Sequence, residues 1–221
     1  MSLSDAEAAG LARFLHRAGR LKVAARTGWL DRGIPPESAE SVADHTFRTA
    51  LLAWLAADAG LDRDRVLKLA LIHDLAEAVT GDLPPYNPDL LPDEANDDAR
   101  RTFLDQRHIR DEARTAFKRD AEAAAMADLT ADLPPDLAAE INALWHELED
   151  GTSPEARFVK QADKLETYLQ SREYLADDPD RPMASFAAEV DEVIDAPNLI
   201  ALQKAINSAL PYLPDPSAAT E

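Results

Sequence analysis

Apolar positions along the chain fall into helix-like faces separated by glycine and proline stops. Leu11, Phe14, Leu15 and Ala18 share one face of a first helix predicted over 5–19. From Gly19 to Pro36 the pattern is mixed, and Ile34-Pro35-Pro36 must be extended or turning. Ser41 is an N-cap, with Asp44 three residues later as the capping-box acid, for a helix running to about Ala59. Gly60 stops it. Asp62 or Asp64 starts the next helix, which is expected to continue through His73 and Glu77 to Gly81. Residues 83–88 read as a loop. Residues 89–119 are the most polar part of the chain, and read either as a solvated helix with loose ends or as a mobile lid over a site.

Pro134-Pro135 opens a helix to about Leu148, and a turn over 150–154 follows. Ser153 or Pro154 then begins a long helix through Phe158, Asp163, Leu165 and Leu169 to Leu175. Residues 177–182 break it. Two shorter helices are expected near 185–195 and 198–210, and the tail after Pro211 should fray.

Composition sharpens this picture. With seven glycines, abundant alanine and leucine and few β-branched runs, an all-α fold is favoured. The 221 residues suit one domain over 1–221, without a repeat or a long linker. Cysteine is absent, so any metal must be held by His, Asp and Glu. No apolar run approaches the roughly 20 residues that span a bilayer, and the N-terminus lacks a signal-peptide pattern, so a cytoplasmic protein without a membrane partner is expected. A formal charge of −19 argues against nucleic-acid polymers as partners. It leaves room for a small anionic substrate, because a few cations set the potential inside a pocket.

The chemistry concentrates at His73-Asp74, which closes the largely apolar run Val66–Ile72. A carboxylate there is costly to bury unpaired. A second histidine, His45, lies upstream, and Asp163 lies far downstream on the long helix. Imidazole and carboxylate together suit a first-row divalent metal. Each residue also has a plainer reading, since a lone His45 or Asp163 is more often an ordinary helix residue than a ligand. His16, His108 and His146 lack a comparable setting and read as surface or packing residues.

Four blocks carry a resemblance: 41–46 (Ser-Val-Ala-Asp-His-Thr), 70–77 (Ala-Leu-Ile-His-Asp-Leu-Ala-Glu), 80–84 (Thr-Gly-Asp-Leu-Pro) and 158–163 (Phe-Val-Lys-Gln-Ala-Asp). In this order they resemble the signature of the HD superfamily of metal-dependent phosphohydrolases. The branch they resemble contains the bacterial 5′-deoxynucleotidases and the eukaryotic HD-domain-containing protein 2 group. The resemblance implies a helical HD domain with core motifs over about 41–175 and a nucleotide 5′-phosphatase activity. It also implies one divalent ion (Mn²⁺, Co²⁺, Fe²⁺ or Mg²⁺) held by His45, His73, Asp74 and Asp163. Glu77 matches the catalytic glutamate, Arg26 the arginine that orients the phosphate, and Trp29 a residue that flanks the sugar. Asp82, Leu83, Pro84 and Pro85 match the segment that holds the nucleoside. By spacing alone, Arg26 equally suits pairing with a surface acid, Trp29 the core, and Asp82 a turn. Lys160 and Lys164 flank Asp163, to balance its charge or to face solvent. The chain departs from the family over about 87–110, where it carries an acidic insertion next to the substrate-facing turn. The resemblance further implies a homodimer, which the late helices would provide. Alternatives are an HD enzyme acting on cyclic nucleotides, nucleoside triphosphates or alarmones, and a non-catalytic metal-binding scaffold.

Overall fold

The computed structural model describes residues 3–209, which form eleven α-helices and no strand. They are α1 (Asp5–Ala18), α2 (Thr27–Leu30), α3 (Val42–Ala56), α4 (Arg63–Ile72), α5 (Glu77–Thr80), α6 (Asp97–Asp105), α7 (Glu112–Thr130), α8 (Pro135–Asp150), α9 (Pro154–Asp177), α10 (Ala184–Val193) and α11 (Pro197–Ala209). No described helix is long and apolar enough to cross a membrane.

Local chemistry fixes most of the helix starts. The Ser41 hydroxyl accepts from the Asp44 N–H while the Asp44 carboxylate accepts from the Ser41 N–H, so the expected capping box is formed. Ser4 and Glu7 make the same arrangement on α1. Asp62 caps α4, and Ser153 with Pro154 opens α9. Gly151 takes a left-handed φ of 60° to end α8.

The principal core lies where α3, α4 and α9 meet, with α8, α10 and α11 closing around them. Ala53, Ala70 and Ala162 are fully buried there, and their small side chains let the three helices approach closely. A second cluster joins Val42, Leu75, Met126, Leu129 and Trp145. A third gathers Trp29, Ile34, Tyr174 and Met183. One face of α3 stays uncovered, with Phe47, Leu51, Trp54 and Leu55 exposed.

Several expectations need correction. The helix expected to run from Asp62 through Glu77 stops at Ile72. Over 72–79 the backbone bonds reach back three residues rather than four, as in Leu75 N to Ile72 O and Glu77 N to Asp74 O. His73 therefore ends one helix and Glu77 opens another, so they do not share a helix face. Helix α3 ends at Ala56, because Ala57 turns extended and is itself buried. The polar stretch 89–119 is not one solvated helix. It holds α6, an extended link, and the first turns of α7, a helix whose far half buries Met126 and Leu129 and which the apolar pattern missed. The two late helices occur within two residues of their expected bounds. Leu210 and the tail after Pro211 lie outside the described residues.

Helix α1 docks on the end of α7. Arg13 and Arg17 pair with Asp132 and Asp128 there, and a Cβ on Gly10 would fall well inside van der Waals contact of the Asp132 carbonyl oxygen. Gly10→Ala should destabilise the fold by about 1–3 kcal/mol through overpacking. A thermal melt several degrees lower is the expected result; an unchanged midpoint would show that α1 is free to shift.

Candidate active site

The approach of α3, α4 and α9 brings the four sequence-predicted ligands together. His45 Nε2 lies 3.0 Å from Asp163 Oδ1, 3.1 Å from His73 Nε2 and 3.6 Å from Asp74 Oδ2. His73 Nε2 lies 3.1 Å from the same Asp74 oxygen. Atoms bound about 2.1 Å from one ion are separated by about 3.0–3.5 Å, and three of these four spacings fall in that range, with the His45–Asp74 distance just beyond it. His45, His73 and Asp163 each offer a ligand atom with all three within 4.8 Å of one another. Asp74 falls outside that trio, although it reaches both imidazoles.

Tautomers follow from the partners. His73 Nδ1 is 2.7 Å from the Ala70 carbonyl oxygen, which only accepts, so the proton sits on Nδ1. His45 Nδ1 faces the Glu166 carboxylate and donates to it. Both Nε2 atoms then present lone pairs to each other, an arrangement that calls for a cation or a proton between them. This donor set fits a first-row divalent metal.

Glu166 is fully buried, and Arg48 Nε donates to its other oxygen at 2.6 Å. Sequence reading missed it, although its position three residues after Asp163 puts both on one helix face. Glu40, His45 and Glu166 form a second trio, but there Arg48 already faces both carboxylates and the Trp29 indole N–H donates to Glu40.

The remaining predicted residues line one cavity of about 250 Å³ with His73, Asp74 and Asp163, while His45 lies fully buried behind them. Arg26 donates to Thr167 Oγ1 at 3.3 Å and keeps a buried Nη1 without a partner. Trp29 is 1% exposed and stacks with Tyr174 and Phe186, so it belongs to the core and gives the cavity only an edge. Asp82 is clasped by the Thr27 N–H at 2.5 Å, which fixes the turn of Leu83, Pro84 and Pro85 along one wall. Lys164 sits 3.2 Å from Asp163, whereas Lys160 turns to the Glu149 carbonyl. His108, expected to be a surface or packing residue, both packs on Phe103 and lines the cavity. Arg107, Arg110 and Lys118 reach it from the polar stretch, where no sequence signal marked them. Seven basic side chains line the cavity against six acidic ones, in a chain with 23 basic and 42 acidic residues. The local balance is therefore reversed, as an anionic ligand requires.

The environments drive the acids apart. Burial raises Asp163, but Lys164 and His45 outweigh it and hold its pKa well below the usual range. Burial likewise opposes the charge on Asp74, and His73 and His45 keep it low. Burial first, then Asp74 and Asp82, push Glu77 up to about 10, and its Oε2 has no partner. Arg26 and Lys118 oppose the rise but do not offset it. Burial and Arg26 oppose charge on His45, yet Asp163 and Glu166 together raise it to about 9.

The HD-domain model matches residues 18–197. The chain belongs to the HD-domain family. Mouse 5′-deoxynucleotidase HDDC2 is 40% identical over 171 residues, which cover 77% of this HD-domain chain and 73% of the mouse protein. A conserved hypothetical protein of known structure from Pyrococcus furiosus is 28% identical with a TM-score of 0.64, over 88% of this chain and 98% of that one. A protein from Magnetospirillum magnetotacticum described as a predicted metal-dependent phosphohydrolase is 26% identical with a TM-score of 0.63, over 93% of each chain.

If a divalent ion binds at His45 Nε2, it competes there with a proton. Because that pKa is raised to about 9, the proton is bound below it and lost above it. Metal affinity should climb about tenfold per pH unit from about pH 6 and level off near about pH 9. Calorimetric Mn²⁺ titrations at successive pH values measure this, and a flat profile would contradict the competition.

Proposed function

We propose that this HD-domain protein is a metal-dependent 5′-nucleotidase that releases inorganic phosphate from (deoxy)nucleoside 5′-monophosphates. The observation that carries the reading is the pair of facing imidazole nitrogens, flanked by two carboxylates, with His73, Asp74 and Asp163 lining one cavity with the unpartnered Arg26 N–H. The name of the HDDC2 relatives, 5′-deoxynucleotidase, supports the same chemistry.

One divalent ion of the Mn²⁺, Co²⁺, Fe²⁺ or Mg²⁺ type, held by His45, His73, Asp74 and Asp163, would supply a water of lowered pKa and polarise a phosphoryl oxygen. Arg26 neutralises and orients the phosphate through a planar donor that lysine cannot match. Asp82 holds the Leu83-Pro84-Pro85 turn against the nucleoside, and the Trp29 edge borders the sugar. Glu77 holds a proton at neutral pH and passes it to the departing 5′-oxygen. Water attacks phosphorus in line, the P–O5′ bond breaks, and phosphate and nucleoside leave.

We also infer a homodimer. Its support is the exposed stripe Phe47, Leu51, Trp54 and Leu55 on α3, while the described residues of α10 and α11 expose no large apolar side chain. The late helices expected to form the interface are thus the weaker candidates.

Glu77→Ala should keep its metal by elemental analysis while phosphate release falls about a hundredfold or more. Near wild-type release would remove Glu77 from the mechanism. Release from cyclic nucleotides, triphosphates or alarmones but not monophosphates would overturn the substrate assignment, and bound metal without turnover would leave a scaffold. Light scattering should give the mass of two chains, reduced to one by Trp54→Glu; a monomeric wild type would refute the α3 interface.

A further inference from the structure

We propose that residues 88–110 add a second anion subsite to this cavity, so that favoured substrates carry a phosphate besides the one removed. The inference rests on the nucleotidase reading of the same site. It starts from a charge surplus. A monophosphate finds Arg26 and Lys164 beside the ligand set, yet two further guanidiniums reach the cavity from one acidic stretch of an acidic chain.

Those two groups are held in a fixed roof. Leu104 is 1% exposed, and its carbonyl accepts from Arg32 Nη2 at 2.8 Å. The Asp105 carboxylate accepts from the Ala184 N–H at 3.0 Å, which ties the end of α6 to α10. His108 Nε2 donates to the Phe103 carbonyl at 2.8 Å, and its ring packs 5.2 Å from that of Tyr86. The link that follows α6 therefore presents Arg107 and Arg110 from a built surface.

Neither group is fully satisfied. The Arg107 Nε is buried without a partner, although its Nη1 pairs with Glu192. Arg110 donates to the Leu83 carbonyl and makes no ion pair among the described residues. Burial lowers its pKa, which marks a charge taken partly out of water without an acid in contact. A phosphate there would recover the lost solvation through charge-assisted hydrogen bonds.

The shared ligand chemistry is a second phosphate, either on the 3′-oxygen or as the β-phosphate of a 5′-diphosphate. With a 3′,5′-bisphosphate, water adds to the 5′ phosphorus, the P–O5′ bond breaks, and the 5′-oxygen takes the proton. A nucleoside 3′-phosphate and inorganic phosphate leave. The same cleavage of a 5′-diphosphate would release pyrophosphate.

The test uses the Mn²⁺-loaded full chain and one deoxynucleoside as its 5′-monophosphate, 3′,5′-bisphosphate and 5′-diphosphate. Product release gives kcat and KM, and calorimetry on Glu77→Gln gives binding without turnover. The bisphosphate or the diphosphate should show a KM and a Kd about tenfold below the monophosphate, and whichever does so identifies the source. In Arg107→Ala/Arg110→Ala that preference should vanish, while Arg107→Lys/Arg110→Lys should retain part of it. Equal KM and Kd for all three ligands in wild type, or a preference untouched in the alanine pair, would overturn the subsite. Tight bisphosphate binding without turnover of any nucleotide would instead refute the nucleotidase reading and leave the subsite standing.

Discussion

His45 cannot be buried without Glu166, and the rest of the site depends on that constraint. The imidazole is fully out of water, so both of its nitrogens need partners. Glu166 supplies one, but it is fully buried too and needs a cation of its own. Arg48 provides it, and a second arm of the same guanidinium holds Glu173 at 2.8 Å. This network spans α3 and α9 across the principal core, so one set of bonds both locks two helices and aims His45 Nε2 at Asp163, His73 and Asp74. Deleting Arg48 would leave the fully buried Glu166 without its cation.

Around that fixed imidazole, carboxylates of similar intrinsic acidity divide into two kinds. Asp74 and Asp163 stand beside imidazoles and Lys164, and stay ionised. Glu77 is buried near other acids and keeps its proton to about pH 10. The break in the backbone after Ile72 makes this possible. A continuous helix would set His73 and Glu77 on one face, whereas the tightened turn ends one helix at the imidazole and opens another at the glutamate. One short segment then offers both an ionised carboxylate and a neutral acid.

The electrostatics of the whole chain and of the cavity run in opposite directions. Carboxylates outnumber basic groups in the whole chain, while guanidinium and ammonium groups from the two flanks of α2, from α7, from α9 and from the link after α6 gather around His73, Asp74 and Asp163. Low-dielectric walls amplify those few charges, so an anion meets an attractive field inside a molecule whose net charge is negative. The polar stretch 89–119 contributes to this by carrying basic side chains inward and acidic ones outward.

Much of the architecture was legible in the sequence, because capping boxes, proline starts and glycine stops act over three or four residues. Ser41 with Asp44, Ser153 with Pro154 and Gly151 mark helix ends through bonds that close locally. His45, His73, Asp74 and Asp163 stood out because polar groups interrupt helices that otherwise read as core. Helix α7 did not, since its polar first half masks the face that packs Met126 and Leu129. Glu166, Lys118, Arg107 and Arg110 were equally silent, each an ordinary charge on a charged segment until its partner is known. The sequence by itself determined the helix ends that local caps mark and which side chains are able to bind metal. Only the tertiary structure decided which charges are desolvated together, because burial and pairing arise from helices that meet in space and not from neighbours along the chain.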